Sequence, residues 1–300
     1  MELPNEIGIE YVPRSLVGRV AAEWRLLREA SVDDTIIVFN GLPPLFPVQA
    51  KTIVFLQNLL LVQNEMPKGY PLLVQARLSI ERLWFRLIQR KGTKYVVQTP
   101  SMADILKQRI GKDTAVQVAP FRPRSTETAV ALSQKAAGKT YEFVYIASGD
   151  VHKNHRRLIE AWVLLAARGE RPRLAVTVDR RLYPELCSLI DTATVTHGLR
   201  IDNLGALPFD KINLLYYSAG ALVFPSIAES FGLPLMEAAA AGLPILAPEM
   251  DYVRDVVVPA ETFDPTSARS IERAVLRFMG RSEPTLQIMT AAQFLKVVSE

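Results

Sequence analysis

The fold of this chain is indicated most clearly by residues 221–248, which read ALVFPSIAESFGLPLMEAAAAGLPILAP. Residues 221–224 form a short apolar run that predicts a buried strand, and Ile245 opens a second such run. Between them, Pro234 suits the first turn of a helix, because its φ is already helical and its missing N–H would have no partner there. Gly242 stands where a left-handed C-terminal cap belongs. The stretch therefore predicts a strand, a loop, a compact helix and a second strand.

Two carboxylates lie in this stretch, Glu229 in the loop and Glu237 in the predicted first helical turn. The backbone N–H groups of residues 230–232 would point beyond the helix N-terminus, where free amides and the helix dipole favour an anion. Each glutamate also has a simpler interpretation, as a solvated loop residue or as a first-turn residue that stabilises the dipole. Taken one at a time, the two residues leave both interpretations open.

A larger pattern favours the functional interpretation. It consists of Pro225-Ser226, Glu229, Ser230-Phe231-Gly232-Leu233-Pro234, Glu237-Ala238, Gly242 and Pro244. In order and spacing it resembles the donor-site signature of retaining glycosyltransferase family 4, whose members have the two-domain GT-B fold. A pattern over so many positions is far more specific than a lone glycine motif. The resemblance extends well over residues 141–280 and only loosely over the first half.

Strand-like and helical patterns alternate along the whole chain, and 300 residues suffice for two domains of ordinary size. We therefore predict an α/β protein with two doubly wound, Rossmann-like domains that face each other across a cleft, as in GT-B proteins. The predicted parts are an acceptor-side domain over 1–125, a linker over 126–139, a nucleotide-sugar-binding domain over 140–282, and a last segment over 283–300 that returns to the first domain. The apolar run 35–39 is predicted to be a strand buried on both faces.

The composition is that of a folded soluble protein, with 49% apolar and 22% charged residues. A single cysteine, Cys187, excludes an internal disulfide and a cysteine-rich metal site and indicates a reducing compartment. The N-terminal residues show no signal segment, and no apolar run approaches the ~20 residues that span a bilayer. We expect a cytoplasmic protein, with the inner face of the membrane as the alternative location.

The positive charge is concentrated in the first half, where residues 1–125 hold 17 Lys and Arg against 11 Asp and Glu. The predicted helix 76–91 carries Arg82, Arg86 and Arg90 at every fourth position. One interpretation is a core-packed helix with a solvated arginine face. The other is contact with anionic lipid headgroups or with a pyrophosphate-linked acceptor. Nucleic acid is not expected, because the net charge is only +4 and no basic-aromatic repeat occurs.

In the first domain, Gln57 follows the predicted strand 52–56, and ligands gather at the carboxyl ends of strands in α/β sheets. It could equally cap the end of its strand. The family resemblance implies a catalytic position here, where relatives often have a histidine that faces the transferred sugar. Glutamine cannot act as a base near neutral pH. A second departure is the paired-glycine loop of the family, for which this chain offers only Gly18.

In the second domain, a predicted strand over 141–147 leads through a glycine-containing loop to a helix over 156–167. Such a loop with a lysine suits a phosphate, so Lys153 is the candidate for the donor diphosphate. The run HKNHRRLIEAW, residues 152–162, resembles the family's lysine-bearing loop. Ser148 stands where many relatives have an arginine, and Arg19 is a candidate to replace that charge. Three further residues are expected to bind the donor, namely Ser148, Asn154 and, beside the base, Leu207.

The resemblance implies a retaining transfer of a hexose from a nucleotide-sugar to a hydroxyl of a saccharide or lipid-linked saccharide, in the assembly of a cell-surface polysaccharide. It implies that Glu237 holds the ribose, that Glu229 with the amides of Ser230, Phe231 and Gly232 holds the sugar hydroxyls, and that Leu233 N–H and Lys153 face the diphosphate. No metal or other cofactor is expected, since no Asp-x-Asp pair occurs and His152 and His155 have no third ligand nearby.

Two other functions stay open. One is a catalytically silent GT-B protein that acts as a partner subunit or sugar-binding scaffold, favoured by Gln57, Ser148 and the missing glycine pair. The other is a phosphorylase or epimerase on the same fold, which would need a cofactor lysine or more acid–base residues. The intact pair Glu229 and Glu237 favours the transferase.

Overall fold

The computed structural model describes residues 11–13, 15–39, 41–63, 69–88, 92–120, 138–281 and 288–299. The strands within these ranges are β1 Thr35–Val38, β2 Lys51–Phe55, β3 Lys94–Val97, β4 Val116–Val118, β5 Tyr141–Tyr145, β6 Leu174–Val176, β7 Ile201–Asn203, β8 Ala219–Val223, β9 Ile245–Pro248 and β10 Glu261–Phe263. The helices there are α1 Leu16–Glu29, α2 Leu72–Leu87, α3 Pro100–Ile110, α4 His155–Ala167, α5 Pro184–His197, α6 Phe209–Tyr217, α7 Leu233–Ala240, α8 Asp251–Arg254, α9 Ala268–Phe278 and α10 Ala291–Ser299.

The strands form two parallel sheets, each with its own apolar core. The first sheet has the order β1-β2-β3-β4, so in the described residues its strands are added in chain order. The second has the order β10-β9-β8-β5-β6-β7, which reverses between β5 and β8. In doubly wound sheets a ligand crevice lies outside the carboxyl ends of the strands at such a reversal. The loops that follow β5 and β8 therefore flank the expected binding position of the second domain.

The two sheets confirm the α/β class and the two Rossmann-like units, but β1 differs from the prediction. Among the described strands it lies at the edge of the first sheet, and Ile37 and Phe39 are exposed rather than buried on both faces. An apolar run predicts a buried strand only when another layer covers each face. In the described residues β2 pairs with one edge of β1. The apolar run itself does not show whether a second strand pairs with the other edge or whether another layer covers each face.

Helix ends follow local signals closely. Thr99 caps α3, its Oγ1 accepting a hydrogen bond from the Met102 N–H at 3.2 Å. Gly232 at the start of α7 has φ +73°, a left-handed backbone that glycine adopts without strain. Gly242 follows the end of α7 with φ +69°, as predicted. Because α7 begins at Leu233, Glu237 lies in its second turn, and its placement in the first turn was wrong.

Several predicted boundaries fall where the structure gives no description. Residues 126–137, most of the predicted linker, lie outside the described residues. In the last segment, every described side chain of α10 is exposed. The domain limits and the return of this segment to the first domain stay predictions.

Among the described residues, hydrogen bonds join the two domains beside the crevice. They are Tyr70 Oη to His152 Nδ1 at 2.7 Å, Thr99 Oγ1 to the Ser230 carbonyl at 3.4 Å, and Ser101 N–H to Asp255 Oδ2 at 2.8 Å. The first involves the loop after β5, and the second involves the loop after β8. Tyr70, just before α2, thus lies against the loop after β5. The start of α3 lies against the loop after β8.

Candidate functional site

The strand reversal in the second sheet brings Lys153 and Glu229 together, although 76 positions separate them in sequence. Lys153 follows β5 in a 3₁₀ turn, Val151–Lys153, and Glu229 lies in the loop after β8. Lys153 Nζ is 2.6 Å from Glu229 Oε1, and the two side chains are 16% and 10% exposed. A largely buried cation thus stands beside a largely buried carboxylate at the mouth of the crevice.

Backbone contacts fix the two loops against each other. The hydroxyl of Tyr145 donates to the Lys153 carbonyl at 2.6 Å. The His152 carbonyl accepts from Ser226 Oγ at 3.1 Å and from the Ile227 N–H at 2.9 Å. Ser226 is fully buried. The position of Lys153 is therefore set by its neighbours rather than by a freely moving loop. The sequence analysis assigned no role to Tyr145, and the buried apolar strand in which it lies gave no signal for one.

Asn154 connects three segments of the second domain. It is the only described non-glycine residue with positive φ, at +61°, a conformation that asparagine tolerates better than most residues. Its side-chain Nδ2 donates to the carbonyls of Pro225 at 3.1 Å and Pro265 at 2.8 Å. In the structure its amide therefore holds backbone beside Lys153. The contact of Asn154 with a donor stays a prediction.

Two buried tyrosines surround the ion pair. Burial raises the pKa of the Tyr145 hydroxyl well above its ordinary value, and the nearby charge of Glu229 adds to the effect. The pKa of Tyr252 is raised for the same two reasons, and its hydroxyl donates to the Ser226 carbonyl at 2.6 Å. Both hydroxyls therefore stay protonated near neutral pH and act as fixed hydrogen-bond donors.

The histidines that flank Lys153 have different surroundings. Burial, and then the charge of Lys153, lowers the pKa of His155 to about 3. Its ring packs against Tyr145 with centroids 4.7 Å apart, and neither ring nitrogen has a hydrogen-bond partner. His155 is therefore a neutral core residue at neutral pH. The pKa of His152 is also lowered, first by burial and then by Lys153, while its Nδ1 meets the Tyr70 hydroxyl.

The start of α7 lies next to this cluster. Phe231 and Gly232 are buried, and Leu233 is partly exposed. A Cβ on Gly232 would come within 3.0 Å of the Leu235 side chain, so the residue is constrained by space as well as by its backbone. The Ser230 carbonyl is held by Thr99 of the first domain. The positive end of α7 consequently lies beside the interdomain crevice.

Glu237 is held separately, on the second turn of α7. It is partly buried, and its Oε2 accepts a hydrogen bond from the Tyr216 hydroxyl at 2.9 Å. Burial and the charge of Glu237 raise the pKa of Tyr216 far above its ordinary value. Glu237 thus has a hydrogen-bond partner on α6, Tyr216, which was not identified from the sequence.

The loop between β5 and the 3₁₀ turn contributes a packed glycine and a polar contact. A Cβ on Gly149 would lie 2.4 Å from Cγ of Tyr183, so only glycine allows this ring to pack on the loop. The Ser148 hydroxyl donates to Asp150 Oδ2 at 2.6 Å. Ser148 therefore brings no positive charge. Arg19, its suggested replacement, instead pairs with Glu23 at 2.8 Å and lies over the Trp84 ring.

A cavity of about 360 Å³ lies between the domains and is lined in part by Glu229. Its first-domain wall includes Gln63, Asp104 and Gln108, and Tyr252 belongs to the second-domain wall. Gln63 Nε2 is buried without a hydrogen-bond partner in the structure. These residues were not predicted from the sequence, because they are scattered through a loop and two helices without a recognisable spacing.

Three other predicted residues lie away from the cavity lining. Gln57 is exposed just beyond the end of β2. Leu207 is partly buried and packs against the core of the second domain. Arg82 points inward from α2, where its Nε donates to the Leu60 carbonyl at 2.7 Å, and burial lowers its pKa. The predicted surface stripe of three arginines is therefore wrong at Arg82. Arg86 is exposed, and Arg90 lies outside the described residues.

Membrane-spanning helices and metal sites are absent from the described ranges. No helix in them is both long and apolar enough to cross a bilayer. No group of three His, Cys, Asp or Glu side chains in them is placed to hold a metal ion.

Comparison with known proteins agrees with this architecture. The two parallel sheets and the crevice between them define a GT-B fold, and solved glycosyltransferase structures share it. The structure titled as WaaG, a glycosyltransferase involved in lipopolysaccharide biosynthesis, matches with a TM-score of 0.63 at 18% identity, over 93% of this chain and 80% of that one. Anabaena HepE in complex with UDP and glucose matches with a TM-score of 0.56 at 15% identity, over 77% of this chain and 62% of that one.

The family model described as glycosyl transferases group 1 matches residues 131–293. The chain belongs to this family, as the donor-site signature predicted. O-antigen chain mannosyltransferase B of Escherichia coli is 29% identical over 162 residues, which are 52% of this chain and 42% of the relative. O-antigen chain mannosyltransferase RfbU of Salmonella typhimurium is 23% identical over 87% of this chain and 70% of its own length. The first of these matches spans less than half of the relative.

Proposed function

We propose that this protein transfers a hexosyl residue, with retention of configuration and without a metal, from a nucleotide-sugar to a hydroxyl of a saccharide or lipid-linked saccharide during assembly of a cell-surface polysaccharide. The observation that carries the proposal is the ion pair of Lys153 and Glu229 at the strand reversal, beside the N-terminus of α7. A cation, a carboxylate and free helix amides meet there, and a nucleotide-sugar needs all three.

The diphosphate of the donor suits Lys153 and the amide of Leu233. As the bond between sugar and diphosphate breaks, negative charge develops on the leaving diphosphate. A fixed ammonium group and helix-terminal amides stabilise that charge without reorganising. Lys153 is already held by Tyr145 through its carbonyl, so its ammonium group needs only to move from Glu229 towards the phosphate oxygens.

Glu229 suits the sugar. A carboxylate accepts hydrogen bonds from hydroxyl groups, and once Lys153 turns to the diphosphate, both oxygens of Glu229 are open to a hexose. Glu237 suits the ribose for the same reason. The Tyr216 hydroxyl holds one of its oxygens and leaves accepting capacity on the carboxylate.

The sugar and the pathway are suggested by the relatives. Two of them are named as O-antigen chain mannosyltransferases, and a structure with the same fold contains UDP and glucose. A hexosyl donor and a growing surface polysaccharide are therefore the proposed substrates. The cavity of about 360 Å³ beside Glu229 is of a size to admit an acceptor sugar ring, and its polar first-domain wall suits hydroxyl groups.

A catalytically silent sugar-binding scaffold is the second candidate. It is favoured by Ser148, which offers no cation to the diphosphate, and by Gln57, which is exposed and cannot act as a base. A phosphorylase or epimerase is favoured by no described contact and is not proposed.

The test is a thermal-shift and calorimetric screen of GDP- and UDP-hexoses in excess EDTA, followed by Glu237→Gln. The substitution removes the charge that accepts hydrogen bonds from a ribose. Such bonds contribute roughly 1.5–3 kcal/mol, so donor affinity should fall about 10- to 150-fold. Glu249→Gln changes an exposed glutamate of the same domain and should leave affinity unchanged.

Two results would decide against the transferase, and one against its metal-free chemistry. If no nucleotide-sugar stabilises the protein, the scaffold takes its place. If binding requires a metal, the metal-free chemistry is wrong. If a donor binds but neither a polysaccharide primer nor water receives the sugar, the protein binds sugar nucleotides without transferring them.

A further inference from the structure

The outward face of α2 is apolar, although the helix lies on the surface. The exposed large apolar side chains of the helix are Leu72 at 82%, Leu73 at 86%, Ile80 at 65%, Leu83 at 55% and Leu87 at 71%. Leu78 and Phe85 on the other side are buried in the first domain. Helix α2 thus has one apolar side that packs on its own domain and a second that faces away from it.

Helical geometry places these exposed residues in one stripe. At about 100° per residue, Leu73, Ile80 and Leu87 recur every seven positions on nearly the same line. Leu72, Ala76 and Leu83 fall beside them, so the six residues occupy an arc of about 100° along the helix. We call Leu72, Leu73, Ala76, Ile80, Leu83 and Leu87 the α2 apolar face. A solvated helix face would carry polar residues in this arc.

Basic residues lie on both sides of the α2 apolar face. Arg77 is exposed on one side and Arg86 on the other. The inward turn of Arg82 removes the third helical arginine from the surface. The first half of the chain, residues 1–125, carries 17 Lys and Arg against 11 Asp and Glu. An occupant that combines an apolar interior with negative charge at its surface complements this arrangement.

We propose that α2 docks on an anionic lipid bilayer, lying flat in the interface with the α2 apolar face in the acyl boundary and the two arginines at the headgroups. Apolar burial and attraction to anionic lipid act together at such a helix. A second copy of the chain fits less well, because an isologous contact would bring the flanking arginines of both copies together.

The position of α2 connects this surface to the crevice. Tyr70, two residues before Leu72, donates to or accepts from His152, the neighbour of Lys153. The first exposed leucines of the α2 apolar face therefore lie close to the crevice mouth. If the proposed function holds, docking would place the acceptor side of the crevice at the membrane surface, where a lipid-linked saccharide is delivered. Docking itself does not depend on that function.

The experiment is co-sedimentation of the full chain with vesicles of phosphatidylcholine, alone or with phosphatidylglycerol. Leu73→Gln/Ile80→Gln/Leu83→Gln should lower partition into anionic vesicles by at least about 1,000-fold, since each buried leucine or isoleucine contributes more than a factor of ten. Arg77→Gln/Arg86→Gln should lower it roughly tenfold or more, and high salt should act likewise. Leu182→Gln/Val195→Gln changes two exposed apolar residues of the second domain and should have no effect.

Folding of each variant is checked by circular dichroism, and nucleotide-sugar binding is measured in parallel. Loss of vesicle binding with retained donor binding supports docking alone. Failure to bind any nucleotide-sugar counts against the proposed function and leaves the vesicle result valid. Equal vesicle binding by parent and both helix variants would overturn the proposal. So would a lipid-free dimer that the leucine variant dissociates, because the face would then be a contact between copies.

Discussion

Asn154 is the residue whose replacement tests most directly how the lysine loop is held. Its φ of +61° is the one described positive value outside glycine, and its amide donates to two carbonyls from separate loops. Replacement by Ala removes both hydrogen bonds and leaves a Cβ in a left-handed conformation. Replacement by Gly removes the same bonds but accepts the backbone conformation. Comparing the two variants therefore separates the hydrogen bonds from the backbone strain.

The magnitudes follow from these two contacts. Each neutral hydrogen bond contributes about 0.5–1.5 kcal/mol, so losing both lowers the free energy of unfolding by roughly 1–3 kcal/mol. A left-handed alanine adds about 1–2 kcal/mol of strain. Glycine avoids that strain but adds about 0.4–1 kcal/mol through the greater freedom of the unfolded chain. Asn154→Ala should therefore destabilise by roughly 2–5 kcal/mol, and Asn154→Gly by about 0.5–1 kcal/mol less.

The assay is urea unfolding of parent and variants at one temperature, with donor binding measured on the folded protein. Because Asn154 precedes α4 directly after Lys153, both variants should also bind the donor more weakly than the parent. An Asn154→Gly variant that is less stable than Asn154→Ala would refute the role of backbone strain. Two variants as stable as the parent would refute the role of the hydrogen bonds.

Two further predictions concern the histidines beside Lys153. The pKa of His155 is about 3 in the folded protein and near 6.5 when unfolded, so between these values the unfolded chain binds more protons and stability falls as pH falls. His155→Phe should remove roughly 1.4 kcal/mol per pH unit of this dependence between about pH 6 and pH 4. The free energy of unfolding is measured by urea unfolding at each pH, and the same pH dependence in parent and variant would contradict this. Tyr70→Phe removes the hydrogen bond to His152 across the domains, so the backbone amides of residues 151–154 should exchange with deuterium several-fold faster. Unchanged exchange there would mean that this contact does not restrain the loop.

The local structure was largely readable from the sequence. Gly242 after the alanines of α7 acts on backbone within a few residues, so its position alone predicted the end of a helix. Strand-like runs separated by helical patterns likewise predicted an α/β protein. The donor-site signature lies within twenty residues, and it identified the family that residues 131–293 confirm.

Predictions from local patterns were wrong where packing against a neighbouring element determines which residues are buried. β1 has the apolar run of a central strand but lies at an edge, and Arg82 continues a regular arginine spacing but turns inward to the Leu60 carbonyl. The sequence did not divide the leucines of α2 between the core and the surface. Which of them face the core and which face outward depends on how the helix is rotated against its sheet, and periodicity allowed either face.

The tertiary structure alone decided the arrangement of the candidate site. Lys153 and Glu229 were each predicted from the sequence as site residues, but their contact depends on β5 and β8 being neighbours. Hydrophobic periodicity does not encode the order of strands in a sheet. Tyr145 and Tyr216 looked like ordinary core or helix residues until folding aimed their hydroxyls at Lys153 and Glu237. Residues near in sequence share one backbone element, so short-range signals describe them. Residues that meet through a sheet are brought together only by the packing of the whole domain.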